Sequence, residues 1–162
     1  MHGNYTCNAN CIYCEHHLLR DDYKTAIMSE DIAEQVVKKL GPMTRELTWH
    51  GGEPTLLPES LIEKVEQSKE KYGVNFPTSL QTNAIALTPE KYEFFKFHNI
   101  RLGTSFDGIF NTRNRGENST KALLNLLQND PPFGFITVYI KDTVDYMIEN
   151  YEYYKTLGVK RF

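Results

Sequence analysis

The sequence predicts an α/β fold built around parallel strands. Two observations predict it: short β-type runs alternate with helical patterns along the chain, and the helical patterns carry start and stop signals. A succession of this kind implies parallel strands joined by right-handed crossovers. An open doubly wound sheet is compatible with this succession, and so is a closed or partial barrel. Both architectures collect ligands at the carboxyl ends of the strands, so a site is expected in the loops that follow them.

Four short runs between the helical patterns are the predicted strands. They are Glu46–His50, Thr78–Thr82, Arg101–Ser105 and Phe135–Ile140. The last run is β-branched or aromatic throughout, a composition that favours a pleated, half-buried strand. We expect Lys160–Phe162 to open a further strand.

Helical patterns fill the intervals between these strands. Their apolar residues recur at the three- and four-residue spacing of a buried helix face. Ser29 and Thr88 are predicted N-caps, and Gly73 and Gly158 are predicted stops. The predicted helices cover residues 29–40, 58–73, 88–98, 119–130 and 143–157, the fourth starting at Ser119 or Thr120.

Length and composition describe one globular domain. The chain has 162 residues, of which 40% are hydrophobic and 24% are charged, which supplies a core and excludes intrinsic disorder. No run approaches the ~20 apolar residues that a membrane helix needs, so no membrane partner is expected. The 21 acidic residues outnumber the 18 basic ones. This balance argues against a nucleic-acid partner, because such proteins usually carry a basic excess.

All three cysteines lie within one short run, at Cys7, Cys11 and Cys14. An odd number crowded so closely cannot supply a disulfide framework. Two kinds of metal site stay open. Three thiolates and one imidazole, for example from the nearby His16 or His17, would complete a zinc knuckle. Three thiolates on a [4Fe-4S] cluster would instead leave one iron free to bind a substrate or cofactor.

The run CNANCIYC at positions 7–14 resembles the signature loop of radical S-adenosylmethionine (radical SAM) enzymes, with Tyr13 as the aromatic residue before the third cysteine. The resemblance implies that Cys7, Cys11 and Cys14 bind a [4Fe-4S] cluster. It also implies that the open iron chelates the amino and carboxylate groups of S-adenosylmethionine (SAM). In this family an electron from the cluster splits SAM into methionine and a 5′-deoxyadenosyl radical, which takes a hydrogen atom from the substrate.

Gly51, Gly52 and Glu53 directly follow the first predicted strand. An isolated Gly-Gly-Glu would be a simple turn with an acidic residue. At a predicted strand end it resembles the family's Gly-Gly-Glu-Pro element, which receives the amino group of SAM. A carboxylate and loop carbonyls are the acceptors that an ammonium group needs.

The next two strand ends carry further elements of the family. Gln81 and Asn83 belong to a Gln-Thr-Asn segment, and Ser105 begins a Ser-x-Asp-Gly element. The resemblance implies that the amides contact SAM and that Ser105 and a later arginine hold its carboxylate and ribose. Arg115 fits that arginine best, and Arg113 competes with it. Without the family, the amides would satisfy loop backbone and the arginines would be a solvated pair.

These motifs identify the chain as a member of the radical SAM superfamily, and the resemblance implies a partial (β/α)6 TIM-like barrel. We expect residues 1–162 to form a single core domain whose first and last strands are truncated. The motifs are most similar to the branch that modifies peptides and proteins, which includes anaerobic sulfatase maturases and maturases of ribosomal peptides. Members commonly carry a cysteine-rich (SPASM-type) C-terminal extension, which this sequence does not contain.

The resemblance implies a peptide or protein substrate and an electron donor such as flavodoxin or ferredoxin. We expect a dimer or a missing C-terminal domain to cover exposed apolar edges, and the reducing cytoplasm to suit an oxygen-sensitive cluster. Two alternatives stay open: a radical SAM enzyme acting on a small sugar or alcohol, and a non-catalytic SAM- or peptide-binding or zinc-stabilised module. His16, His17 and His50 are expected to form hydrogen bonds rather than bind metal. The sequence indicates no catalytic base.

Overall fold

The computed structural model describes residues 1–16, 25–129 and 134–159. Its sheet has four described strands in chain order from one edge to the other. They are β1 (Leu47–Trp49), β2 (Thr78–Thr82), β3 (Arg101–Ser105) and β4 (Gly134–Ile136). All neighbouring pairs are parallel, which confirms the predicted α/β fold with parallel strands. The predicted strand Lys160–Phe162, the helix end at 130 and His17 lie outside the described residues.

Helices connect these strands, and their ends follow from capping. The described helices are α1 (Glu30–Leu40), α2 (Glu59–Tyr72), α3 (Pro89–Phe97), α4 (Asn111–Arg115), α5 (Glu117–Asn129) and α6 (Met147–Thr156). Ser29 Oγ accepts a hydrogen bond from Ile32 N at 3.3 Å, and Thr88 Oγ1 accepts one from Lys91 N at 3.3 Å. Gly73 ends α2 with a left-handed φ of 63°. None of the helices in the described part of the chain has the length and apolar character needed to cross a membrane.

The first and last strands are shorter than the sequence predicts. β1 loses one residue at each end. β4 ends early because the residues after it bond to the β3 loop instead of continuing the ladder. Thr137 Oγ1 donates to Phe106 O at 2.9 Å, and Val138 N donates to Asp107 Oδ1 at 3.1 Å. The predicted last helix is divided into a 3₁₀ turn, Val144–Tyr146, and α6.

The connection between β3 and β4 also differs from the prediction. The short helix α4 was not predicted, and α5 begins at Glu117 rather than at Ser119 or Thr120. Ser119 lies inside α5, is fully buried, and donates its hydroxyl to Asn83 O at 3.4 Å. The hydroxyl that resembles a helix cap in the sequence therefore attaches α5 to the loop after β2.

The first six residues run beside β1 and lead into the cysteine loop. His50 N donates to Met1 O at 2.9 Å, and one parallel bridge joins the segment to His50. Glu53 N donates to Thr6 O at 2.7 Å. The segment therefore occupies the position of a strand next to β1, and its bonds to the β1 loop bring Cys7 to the carboxyl edge of the sheet.

Two apolar clusters stabilise the sheet and the helices around it. The larger packs α1, α2 and α3 against the sheet, and Trp49, Val65 and Leu80 are buried within it. The smaller surrounds Phe106 and Tyr154. Tyr154 Oη also donates to Phe106 O at 2.7 Å, so α6 is fixed to the loop that follows β3.

We expect Gly108→Ala to destabilise the fold more than Gly73→Ala does. Both glycines have left-handed φ angles, 60° and 63°, so alanine costs about 1–2 kcal/mol of backbone strain at either position. A Cβ at Gly108 would also overlap the Asn150 amide, whereas nothing lies within 4 Å of one at Gly73. Overpacking adds about 1–3 kcal/mol to the loss at Gly108. Urea unfolding followed by the fluorescence of Trp49, the single tryptophan, measures both losses, and equal losses would contradict the overlap.

Candidate functional site

One cavity at the carboxyl edge of the sheet collects the residues that the sequence motifs indicate. Its volume of about 320 Å³ lies in the range of ~300–1,000 Å³ found for small-molecule sites. The N-terminal segment and the ends of all four strands contribute to its lining. The predicted site residues in that lining are Cys7, Cys11, Tyr13, Cys14, Gly51, Gly52, Glu53, Gln81, Asn83, Ser105 and Arg115. The structure therefore brings together every residue predicted for the site, and what they bind stays a prediction.

The cysteine loop presents three thiols of different exposure to this cavity. Cys11 is buried, whereas Cys7 and Cys14 are partly exposed. Cys14 N donates to Cys11 O at 3.1 Å, which closes a turn between the last two cysteines. Burial raises the pKa of the Cys11 thiol, and the nearby Arg115 guanidinium opposes this effect. The Cys11 thiol is thus protonated at neutral pH unless a metal replaces its proton.

The donors at the cavity bear on the two kinds of metal site that the sequence leaves open. A zinc site needs four ligands within about 2.0–2.3 Å of one ion. Among residues 1–16, 25–129 and 134–159, no three His, Cys, Asp or Glu side chains converge closely enough to hold a metal ion. The three thiols nevertheless line one cavity, as they would if each bound a different iron of a cluster. Three thiols that face one cavity are a donor set that fits a [4Fe-4S] cluster.

Glu53 is a buried carboxylate whose hydrogen-bonding capacity is filled by the protein. It is 2% exposed. Its Oε1 accepts bonds from Thr55 N at 3.0 Å, Thr55 Oγ1 at 2.7 Å and Thr82 Oγ1 at 2.6 Å, and its Oε2 accepts one from Asn83 N at 2.8 Å. A carboxylate offers about four lone-pair sites, so little capacity is left for an ammonium group. The carboxylate instead joins the β1 loop to the end of β2, and a role in SAM binding stays a prediction.

Gly51 and Gly52 allow the N-terminal segment to cross the β1 loop. Gly51 has a φ of 120°, and Gly52 N donates to Asn4 O at 3.1 Å. A Cβ at Gly52 would overlap the backbone of Tyr5 and Thr6. The two glycines therefore serve a close approach between two backbone segments.

Gln81 and Ser105 contact each other across the ends of β2 and β3. Gln81 Nε2 donates to Ser105 Oγ at 3.1 Å. The residue paired with Gln81 on β3 is Gly103, and a Cβ there would press against the Gln81 amide oxygen. The glycine therefore leaves room for the amide to lie over β3. Two predicted site residues thus form one polar surface on the cavity wall.

Asp107 connects the cysteine loop to α4, although the sequence reasoning did not assign it a role. Its Oδ2 accepts bonds from Tyr13 Oη at 2.7 Å and Asn114 Nδ2 at 3.3 Å, and lies 3.5 Å from Arg115 Nε. Its Oδ1 accepts the bond from Val138 N. One buried carboxylate therefore fixes three segments around the cavity. The feature of the sequence that could have indicated this role is the position of Asp107 in the Ser-x-Asp-Gly element.

Arg115 faces the cavity and Arg113 does not. The Arg115 side chain is 9% exposed and its Nε lies 3.5 Å from Asp107 Oδ2, where it makes no hydrogen bond within the described part of the chain. A guanidinium has five N–H donors, so this ion pair leaves donor capacity for an anion. Burial alone would lower the pKa of Arg115, but Tyr13 and other neighbours raise it overall. Burial raises the pKa of Tyr13, so its phenol remains a donor. Arg113 is exposed and stacks on Phe110 at 5.2 Å.

Three histidines lie together beside the cysteine loop. The His2 ring centroid is 5.5 Å from that of His16 and 5.8 Å from that of His50. Burial lowers the pKa of His50, and His16 lowers it further, so His50 is neutral near pH 7. His16 and His50 both line the cavity. Their expected role as hydrogen-bonding residues stays a prediction.

The lining also contains residues to which the sequence reasoning assigned no role. Ile136 and Val138 contribute apolar surface at the β4 side, and Tyr5 and Thr82 complete the wall near β1 and β2. An apolar residue at a cavity has the same sequence pattern as one in a core, so the sequence carried no signal for Ile136 or Val138. Thr82 lies between Gln81 and Asn83, and only its bond to Glu53 reveals its role.

The sequence model of the radical SAM superfamily matches residues 4–162. The chain therefore belongs to the radical SAM superfamily, whose members use a [4Fe-4S] cluster and SAM. It is 33% identical over 111 residues to the serine-type anaerobic sulfatase-maturating enzyme of Bacteroides thetaiotaomicron, across 63% of this chain and 27% of that enzyme. It is 32% identical over 168 residues to an uncharacterised protein of Methanocaldococcus jannaschii, across 95% of this chain and 57% of that protein.

Solved structures show the same fold. Native anSMEcpe with bound AdoMet (SAM) matches with a TM-score of 0.80 at 23% identity, across 98% of this chain and 48% of that one. The same protein with bound AdoMet and the Cp18Cys peptide matches with a TM-score of 0.79. The predicted partial radical SAM barrel core is thereby confirmed. The chain spans about half the length of anSMEcpe and less than two thirds of either relative named above.

We expect Asp107→Asn to lower the free energy of unfolding by about 3–5 kcal/mol, because it leaves the buried Arg115 guanidinium unpaired. The side chains of Asp107 and Arg115 are 1% and 9% exposed. Glu117→Gln is the matched control, since its pair with Lys121 is about 70% exposed on both sides and should contribute at most about 0.5 kcal/mol. Urea unfolding of both variants measures the difference. Similar losses in the two would show that the Asp107 pair does not hold the segments together.

Proposed function

We propose that the chain is the catalytic core of a radical SAM maturase that takes a hydrogen atom from a peptide or protein substrate. The observation that carries the proposal is the convergence of the cysteine loop and the three strand-end motifs on one cavity. These motifs lie far apart in the sequence, so the fold, and not local sequence, brings them together. Membership of the superfamily supplies the class of reaction.

In this proposal the three thiolates bind three irons of a [4Fe-4S] cluster and leave the fourth iron for SAM. They come from Cys7, Cys11 and Cys14. When bound, the cluster and SAM supply a one-electron cleavage of a sulfur–carbon bond of SAM, and with it a carbon radical that can remove hydrogen from the substrate. The Tyr13 bond to Asp107 holds the cysteine loop in place for this chemistry.

The contacts to SAM follow from which groups still have hydrogen-bonding capacity. Arg115 binds the SAM carboxylate, because it lines the cavity and its five N–H donors exceed what the ion pair with Asp107 uses. The Gly51–Gly52 carbonyls accept the ammonium group, because the Glu53 carboxylate already accepts four bonds. Gln81 and Ser105, which bond to each other at the cavity, contact the ribose. The apolar surface at the β4 side keeps water away from the reacting atoms.

A peptide or protein substrate is the finer part of the proposal. Its support is the likeness to a sulfatase-maturating enzyme and to anSMEcpe, a protein seen with a bound peptide. A flavodoxin or ferredoxin would deliver the electron. We assign the chain to the reducing cytoplasm, where an oxygen-sensitive cluster persists.

Replacing any one of Cys7, Cys11 or Cys14 with alanine should reduce 5′-deoxyadenosine formation to background, because a lost thiolate ligand removes the cluster. The assay reduces the anaerobically reconstituted protein in the presence of SAM and quantifies 5′-deoxyadenosine by chromatography. Iron and sulfide are measured in the same samples. His16→Ala is the matched control and should retain its iron and sulfide. Reconstituted wild-type protein that held zinc without sulfide would overturn the proposal.

Deuterium transfer distinguishes the substrate classes. We expect peptides that carry serine or cysteine, deuterated at Cβ, to transfer deuterium to 5′-deoxyadenosine. Deuterated sugars and alcohols of similar concentration should transfer none. Mass spectrometry of 5′-deoxyadenosine makes the measurement. Transfer from a sugar or alcohol alone would replace the peptide proposal with a small-molecule substrate and leave the radical chemistry intact.

A further inference from the structure

We propose that Asn83 tunes the reduction potential of the cluster through an N–H···S hydrogen bond to Cys7. The inference rests on the proposed function, in which Cys7 is a cluster ligand. Asn83 Nδ2 lies 3.6 Å from Cys7 Sγ and 2.8 Å from Asn8 Oδ1. An asparagine amide nitrogen carries two hydrogens, so it makes both bonds at once.

The orientation of the Asn83 amide is fixed by its oxygen atom. Oδ1 accepts a hydrogen bond from Ile85 N at 2.9 Å. A backbone N–H is always a donor, so the amide oxygen and nitrogen cannot exchange places without losing this bond. This contact removes the usual ambiguity of asparagine side chains and directs the amide hydrogens toward Cys7 and Asn8.

The backbone of Asn83 is held from two sides. Its N–H donates to Glu53 Oε2 at 2.8 Å, and its carbonyl accepts the Ser119 hydroxyl at 3.4 Å. Glu53 is 2% exposed, Ser119 is fully buried, and Asn83 is 6% exposed. Every polar group of Asn83 thus has a protein partner. Asn83 therefore acts on the sulfur, whereas the sequence suggested that it contacts SAM.

A donor at the Cys7 sulfur raises the reduction potential of a cluster. Reduction adds negative charge, part of which lies on the thiolate sulfurs, and an N–H dipole stabilises that charge. Ala9 N donates to the same sulfur at 3.4 Å, but among substitutions only proline would remove this backbone donor. Asn83 is therefore a side chain through which the sequence can adjust the potential, and with it the ease of loading the electron that SAM cleavage consumes.

The test compares the midpoint potentials of reconstituted wild-type protein, Asn83→Ala and Asn118→Ala, without SAM, by redox titration monitored by electron paramagnetic resonance. Asn118 is exposed on α5 and controls for the loss of an asparagine. We expect a shift to lower potential in Asn83→Ala and none in Asn118→Ala, at equal iron and sulfide content. An unchanged potential in Asn83→Ala would overturn the inference and leave the proposed function standing.

Two other outcomes are distinguishable. Wild-type protein that binds no iron and sulfide overturns the proposed function and this inference together. If Asn83→Ala does not retain a cluster, electron–nuclear double resonance of the reduced wild-type protein takes the place of the titration of this variant. The asparagine side chains of the wild-type protein then carry a magnetic nitrogen isotope. A nitrogen coupling to the cluster supports the bond, and its absence overturns the inference while the cluster itself is present.

Discussion

The peptide group and carboxylate of Glu53 hold together the three segments on which the cavity depends. The Glu53 N–H attaches the β1 loop to Thr6, one residue before the first cysteine, and the carboxylate attaches the same loop to Thr82 and Asn83 at the end of β2. Burying a carboxylate is costly unless donors occupy its lone pairs, and here four donors occupy them. The loops therefore have few alternative arrangements, and this side of the cavity is formed before a ligand enters.

Asp107 anchors the cysteine loop near its end, as Glu53 anchors it at its beginning. It binds the Tyr13 phenol between the last two cysteines, and it pairs with Arg115 from α4. Cys7 and Cys11 thus lie between two anchoring points, Thr6 and Tyr13, and Cys14 directly follows the second. Because both anchoring residues carry buried carboxylates that hold their own loops in place, loosening either would shift the thiols it anchors. Ligand-binding groups in a loop obtain in this way a rigidity that loops usually lack.

The sequence predicted the local features of the fold well and the long-range ones poorly. β2, β3 and the caps at Ser29 and Thr88 depend on neighbouring residues, and the structure has them as predicted. The early end of β4 depends on the bond from Val138 to Asp107, thirty-one residues away, and no local pattern reveals it. The motif residues do meet at one cavity, but a motif states which residue types are present and not which partner each side chain selects.

The motif residues fall into two groups according to the partners of their polar groups. Glu53, Asn83 and Asp107 have their polar groups bonded to protein, whereas Arg115 and the thiols retain capacity for ligands. The first group has an electrostatic effect as well as a structural one. Two buried carboxylates add negative charge near the thiols and so disfavour reduction of a cluster, while Arg115 and the N–H groups directed at Cys7 favour it. The bonds that shape the cysteine loop therefore also set its electrostatics, and a substitution among them cannot alter one without altering the other.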